Sequence, residues 1–153
     1  MTRINLEHPS LLCNAHLLIG EWYENPRVAS ILLKKNGRTG KIPKRFTVRT
    51  NKNPDGGRGH VTFFYNKLAW LRDRYLMLMD EMTKRGYSPT DNWKVEIFFP
   101  EYTHLFGEWT PTEADISLSR TRIAEMIPEK HKLTNEQLEK LSAIAEYEAF
   151  NEK

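Results

Sequence analysis

The sequence predicts an all-α domain: three main helices, then a C-terminal helix. Apolar residues recur at helical spacing through residues 11–35, 60–85 and 112–127. Stop and capping residues stand at the ends of these runs. A chain of 153 residues is one domain's worth, with enough apolar content for a core, so residues 1–153 are expected to fold as a single domain.

The first stretch, 11–35, carries Leu11, Leu12, Leu17, Leu18, Trp22, Val28, Ile31 and Leu32 at roughly i, i+3, i+4 spacing. Ser10 is the expected N-cap and Gly37 the stop. Pro26 lies inside this stretch, removes a donor and clashes with the preceding turn, so a kink or break is expected near Glu24-Asn25. Such a break would expose Glu24 in a concave bend. Residues 36–58 read as loop, from Asn36-Gly37, Gly40, Pro43 and the run Asn53-Pro54-Asp55-Gly56-Gly57, with a short extended piece at Arg45–Val48. A loop this long is often functional.

The second helix is expected over 60–85, with an apolar face of Val61, Phe64, Leu68, Leu71, Tyr75, Leu78 and Met82, and Gly86 as its stop. Phe63, Phe64, Tyr65 and Trp70 read as core, and Arg72 and Arg74 as surface charges. Residues 87–111 are irregular. Thr112 then opens a third helix to about Ile127, with Asp115 as capping partner, Ile116, Ile123 and Ile127 facing inward, and Pro128 as terminator. Thr134 and Gln137 make a capping box for a fourth helix over about 135–150.

Composition excludes several classes. No apolar run reaches the roughly 18 residues of a membrane span. No signal peptide is visible, and the single cysteine, Cys13, cannot form an internal disulfide, which fits a cytoplasmic protein. Cys13 reads as core filler rather than nucleophile. The histidines are scattered, so metal-ligand spacing is absent and no metal is expected.

Charge is distributed unevenly. Between Arg27 and His60 stand ten basic residues, Lys44 and Arg45 among them, and one acid, Asp55. That segment nets +9 and the remainder −6, a pattern suited to a polyanion such as nucleic acid.

The chain opens Met1-Thr2-Arg3. A small second residue is what removal of the initiator methionine requires, so Thr2 is expected to carry the free α-amine. Such an amine has a reference pKa of about 7.7–8.0, far below lysine, so a useful fraction is neutral near physiological pH. It can attack a carbonyl-like carbon and form an imine.

Several blocks then agree in order. They are Met1–Leu6, His16-Leu17-Leu18, Glu24 followed by Pro26-Arg27-Val28, and Gly59–Tyr65. Lys67-Leu68, Leu71-Arg72, Arg74, Lys84-Arg85-Gly86, Pro111, Glu113-Ala114 and Ser119–Arg122 continue the series. Together they resemble the pyrimidine-dimer DNA glycosylase family over about residues 2–127, leaving 129–153 divergent.

The resemblance implies a compact all-α fold whose N-terminal segment threads between the helices to the active site. It implies a monomer acting on damaged double-stranded DNA in a bacterial or phage-infected cell, with no metal or cofactor. The expected activity is removal of the 5′ base of a cyclobutane pyrimidine dimer, followed by β-elimination at the abasic site. By carry-over the Thr2 α-amine is the nucleophile and Glu24 the essential acid. Arg3, His16, Arg27 and Arg122 fall at positions expected to meet DNA, with Lys44 and Arg45 added from the basic loop. Arg120 points to a different face from Arg122 and ranks below it.

The sequence departs from the family at Tyr23, where arginine is usual, at Ala15, where glutamine is, and at Met126, where a lysine stands. The family's aromatic, basic C-terminal tail is replaced by an acidic helix bearing Tyr147 and Phe150. Two other readings therefore stay open. One is the same imine chemistry on another modified base or on abasic sites only; the other is a non-catalytic DNA-binding domain.

Overall fold

A computed structural model describes residues 4–12 and 15–126, with the side chains of Ala15 and His16 left out. All regular structure among the described residues is helical: α1 (Ala15–Lys34), α2 (Leu68–Lys84) and α3 (Glu113–Met126), with short 3-10 turns before α1 and between the helices. The expected all-α architecture is what forms. Cys13 and the expected fourth helix lie outside the described residues. No described helix is long and apolar enough to cross a membrane.

Helix α1 continues through Pro26, so the expected disturbance there is not a break, and Glu24 is 4% exposed instead of standing open in a bend. A proline inside a helix costs about 3 kcal/mol. Tertiary bonds next to it hold the helix together. The Asn25 amide donates to the Leu71 carbonyl at 3.1 Å and accepts from the Trp93 indole N–H at 3.1 Å. Ser30 adds a hydroxyl bond to the Pro26 carbonyl. At the far end Gly37, at φ +78°, donates to the Leu32 carbonyl at 2.8 Å and closes the helix as expected. Ser10 is not the cap of α1. It sits in a 3-10 turn, Pro9–Leu11, capped by the His8 imidazole.

The second expected helix divides. Thr62–Asn66 is a 3-10 turn, Lys67 breaks the run, and α2 begins at Leu68. The cause lies far along the chain. Gly107 donates to the Asn66 carbonyl at 3.1 Å and accepts from Trp70 N–H at 3.4 Å, so a distant stretch of backbone occupies the break. A Cβ at Gly107 would collide with that Asn66 oxygen, so glycine is required there. Gly86 ends α2 with φ +94°, as expected.

In the loop the expected extended piece forms no ladder, yet it keeps strand-like alternation. Phe46, Val48 and Thr50 are buried while Arg45 and Arg49 are exposed. Phe46 stacks on Trp109 at 6.0 Å between ring centroids and meets Phe63 and Phe64 edge-on, which seats the loop on the core. Phe63, Phe64 and Tyr65 are core residues, as expected. The Thr112–Asp115 capping box closes reciprocally at 3.0 and 3.2 Å. Ile123 is buried and Ile116 half-buried; Ile127 lies outside the described residues.

Helices α1 and α2 pack antiparallel, as the pairings Glu21 with Arg74 and Asn25 with Leu71 require. Their interface is not uniformly apolar. One cluster holds Val28, Leu32, Leu68, Leu71 and Tyr75, and the other Leu17, Leu18, Leu78 and Met82. Between them along both helices lie Glu21 and Arg74.

Candidate functional site

The buried stripe of α1 reads Leu17, Leu18, Glu21, Glu24, Asn25, Val28, Ala29, Leu32. Spacing alone places all of these on one face. Its middle is polar, where packing alone would select leucine. Buried charges are retained only when partnered, and each of these has a partner.

Glu21 is fully buried and Arg74 is 4% exposed. Arg74 donates from Nε to Glu21 Oε2 at 2.7 Å and from Nη2 to Oε1 at 2.9 Å, a two-point guanidinium–carboxylate pair. Arg74 is therefore not a surface charge. The helical spacing Leu71–Arg74–Leu78 already set it on the inner face of α2; the assumption that arginine faces solvent hid it.

This pair anchors the N-terminal segment. Asn5 donates from its amide to Glu21 Oε1 at 2.8 Å, and the Glu7 carbonyl accepts from Arg74 Nη1. Leu6 N–H donates to Ser119 Oγ on α3 at 3.0 Å, and the Glu7 carboxylate pairs with Arg120. Ile4 N–H donates to His60 Nε2 at 3.1 Å. Residues Ile4 to Glu7 are thus held on all sides by α1, α2, α3 and His60, which is the threading the family resemblance implied. Ile4, Asn5 and Glu7 are buried. Sequence reading missed Asn5, Glu21, His60 and Ser119. The available signal was a polar residue at a core position, which a search for apolar periodicity passes over.

The segment also has a direction. Pro9 accepts from Arg85 near the end of α2, Glu7 from Arg74 further back, and Asn5 meets Glu21 on α1. Toward lower residue numbers the chain advances along α1 toward the turn that bears Glu24. Glu21 and Glu24 are neighbours at i, i+3, with Cβ atoms about 5–6 Å apart. Thr2 is three residues from Asn5, a reach of about 10 Å at most. The described part of the segment thus ends at Ile4, next to an Asn5 that is held one helical turn from Glu24.

The other expected site residues are distributed as follows. Thr2 and Arg3 lie outside the described residues. His16 is on the first turn of α1, and its side chain is outside them as well. Glu24 accepts from Arg27 Nη1 at 3.2 Å, the carboxylate buried and the arginine side chain 53% exposed. The Arg27 guanidinium also lies over the exposed Tyr23 ring, 5.6 Å from its centroid. Carboxylate, guanidinium and aromatic ring thus form one step from interior to surface on successive faces of α1. Lys44 and Arg45 are exposed on the loop. His60 links the loop to the N-terminal segment, with Nδ1 2.7 Å from the Thr47 carbonyl oxygen and Nε2 3.1 Å from the Ile4 nitrogen. Arg122 is largely covered and 3.9 Å from Glu125, whose carboxylate also accepts the Asn51 N–H at 2.7 Å. Arg122 thus neighbours the acid that fastens the loop to α3.

Lys67 is a second amine of note. Burial lowers its pKa from the ordinary lysine value. Its Nζ is occupied, donating to the Phe63 carbonyl and to Asn66 Oδ1 at 2.9 Å each, above the Phe63 ring. Among the described residues no group of three or more His, Cys, Asp or Glu side chains is placed to hold a metal ion.

The arrangement fixes Ile4–Glu7 one helical turn from a buried carboxylate and links them to the basic loop through His60. A family model described as pyrimidine dimer DNA glycosylase matches residues 1–95, which span the N-terminal segment, α1, the basic loop and α2.

Proposed function

The chain belongs to the pyrimidine dimer DNA glycosylase family, and from that premise we propose that it excises the 5′ base of a cyclobutane dimer in double-stranded DNA and then cuts the backbone, with the Thr2 α-amine as nucleophile. The observation that carries this reading is the anchoring of the N-terminal segment one helical turn from the buried Glu24 carboxylate.

The chemistry runs in two stages. The neutral amine donates its lone pair to the sugar's anomeric carbon while the carbon–nitrogen bond to the base breaks and the base leaves with a proton. Opening of the sugar ring gives an iminium between Thr2 and that carbon. The iminium acidifies the neighbouring C–H; loss of that proton expels the 3′ phosphate by β-elimination. Water then releases the amine. Glu24 stabilises the cationic sugar and moves protons during ring opening. Arg3, Arg27, Lys44, Arg45 and Arg122 supply positive charge for the backbone and His16 a further polar contact, so shape and phosphate contacts lead recognition. The enzyme acts as a monomer in the cytoplasm and uses no metal or cofactor.

The test is borohydride trapping. Protein freed of Met1 is mixed with dimer-containing, abasic and undamaged duplexes and then reduced. A covalent adduct on dimer DNA is expected, and retaining Met1 should weaken it strongly. An adduct on abasic DNA alone would move the substrate to another base or to abasic sites. Salt-sensitive binding with no adduct on any duplex would leave a DNA-binding domain without the chemistry.

A further inference from the structure

His60 sits where the N-terminal segment and the basic loop meet. It is 5% exposed, with the Phe46 and Phe64 rings edge-on at 5.4 and 5.7 Å between centroids. Its two nitrogens have opposite partners. Nδ1 is 2.7 Å from the Thr47 carbonyl oxygen, which can only accept, so Nδ1 carries the hydrogen. Nε2 is 3.1 Å from Ile4 N–H, which can only donate, so Nε2 is bare. The partners thereby assign the neutral Nδ1–H tautomer.

We propose that His60 is a positioning residue for the amine nucleophile: locked by Thr47, its bare Nε2 fixes the N-terminal segment through the Ile4 amide. The proposal rests on the reading that Thr2 supplies the amine. Ile4 is the described residue nearest to Thr2, and its amide is held by this ring. The next anchors, at Asn5 and Leu6, act further from the reacting end. Displacing a reacting group by about 1 Å can cost on the order of 100-fold in rate, so one hydrogen bond at Ile4 has leverage that an equal bond further along lacks. Thr47 also lies between Arg45 and Arg49 on the basic loop. The loop itself is seated independently by Phe46 on Phe63, Phe64 and Trp109, so losing the imidazole should disturb the N-terminal segment more than the loop.

The test compares wild type, His60→Phe and His60→Gln, each freed of Met1, on an abasic duplex. His60→Phe keeps a ring among the aromatics and removes the acceptor; His60→Gln restores an oxygen near the position of Nε2. Single-turnover trapping rate and duplex Kd are measured for each. The expected result is a loss of roughly 10- to 100-fold in trapping rate for Phe, substantial recovery for Gln, and Kd close to wild type in both. Trapping by His60→Phe at the wild-type rate overturns the positioning role while leaving the amine reading intact. No adduct with wild type overturns the amine reading itself, and the positioning role with it. Nitrogen NMR on the wild-type protein needs no variant. An unprotonated Nε2 and an exchange-protected Ile4 amide are expected; a proton on Nε2 at neutral pH overturns the proposal.

Discussion

Arg74 of α2 lies against Glu21 of α1 through two hydrogen bonds, 2.7 and 2.9 Å, where two apolar clusters would otherwise join. A buried pair of this kind repays its desolvation only with good geometry and further bonds, and leucine-like residues would often be as stable. What the pair adds here is the hold on Asn5 and Glu7. Arg74→Met alone should destabilise the fold by about 3–5 kcal/mol, because it strands a buried carboxylate. Glu21→Leu with Arg74→Met should recover much of that loss in urea unfolding. It should not recover strand cleavage, since the Asn5 amide and the Glu7 carbonyl both lose their partners. A double variant that cleaves like wild type would show that the pair serves packing alone.

Glu24→Gln keeps the side-chain shape and an oxygen for Arg27, which bonds to it at 3.2 Å. Folding and duplex affinity should therefore stay near wild type. Strand cleavage should fall by at least about 100-fold, the usual scale for removing an acid–base or charge-stabilising group. Gel assays on dimer-containing plasmid read the first quantity and fluorescence anisotropy the second. Normal turnover by this variant removes Glu24 from the mechanism.

Several local signals in the sequence proved sufficient for local structure, though Ser10 does not cap α1. Gly37, Gly86 and the Thr112–Asp115 box end or begin helices as expected, because each acts within a few residues of itself. Expectations failed where distant chain intervened. The helix does not break at Pro26, where Leu71 and Trp93 bond to the adjacent Asn25, and the continuous helix expected over 60–85 is interrupted by Gly107. Of the proposed site, the sequence names Glu24 and the Thr2 amine as candidates but not the residues that support the segment between them. Glu21, Arg74 and His60 gain their roles from partners more than fifty residues away or on other helices.

Lys44 and Arg45 are exposed on a loop that is anchored by the neighbouring Phe46. Neutralising either should leave the core intact and weaken binding evenly across DNA sequences. Each lysine or arginine on a phosphate adds about 0.9 to the slope of log K against log salt for B-form DNA. Lys44→Gln and Arg45→Gln should each reduce that slope by about 1, and the pair by about 2. Anisotropy titrations at several salt concentrations give the slopes directly. Slopes equal to wild type would place the phosphate track elsewhere on the surface.

The segment after α2 should show a distinct acid response. Arg72 donates to both oxygens of Asp91, at 2.8 and 2.5 Å, and its hydrogen bonds hold the Asp91 carboxyl below the ordinary 3.8. A carboxylate with a lowered folded-state pKa contributes stability that is full above the unfolded value and is lost as pH falls through the folded one. Asp91→Asn should therefore be less stable than wild type by a constant amount above about pH 5. The gap should narrow below 3.8 and close as pH drops past the lowered value. Its size should be no more than about 1 kcal/mol, because the Asp91 side chain is 45% exposed and solvent screens the pair. Urea unfolding followed by tryptophan fluorescence suits the measurement, since Trp93 N–H donates to the same carboxylate. A gap that keeps its full size at the lowest pH where the protein still folds would trace the stability difference to something other than the ion pair.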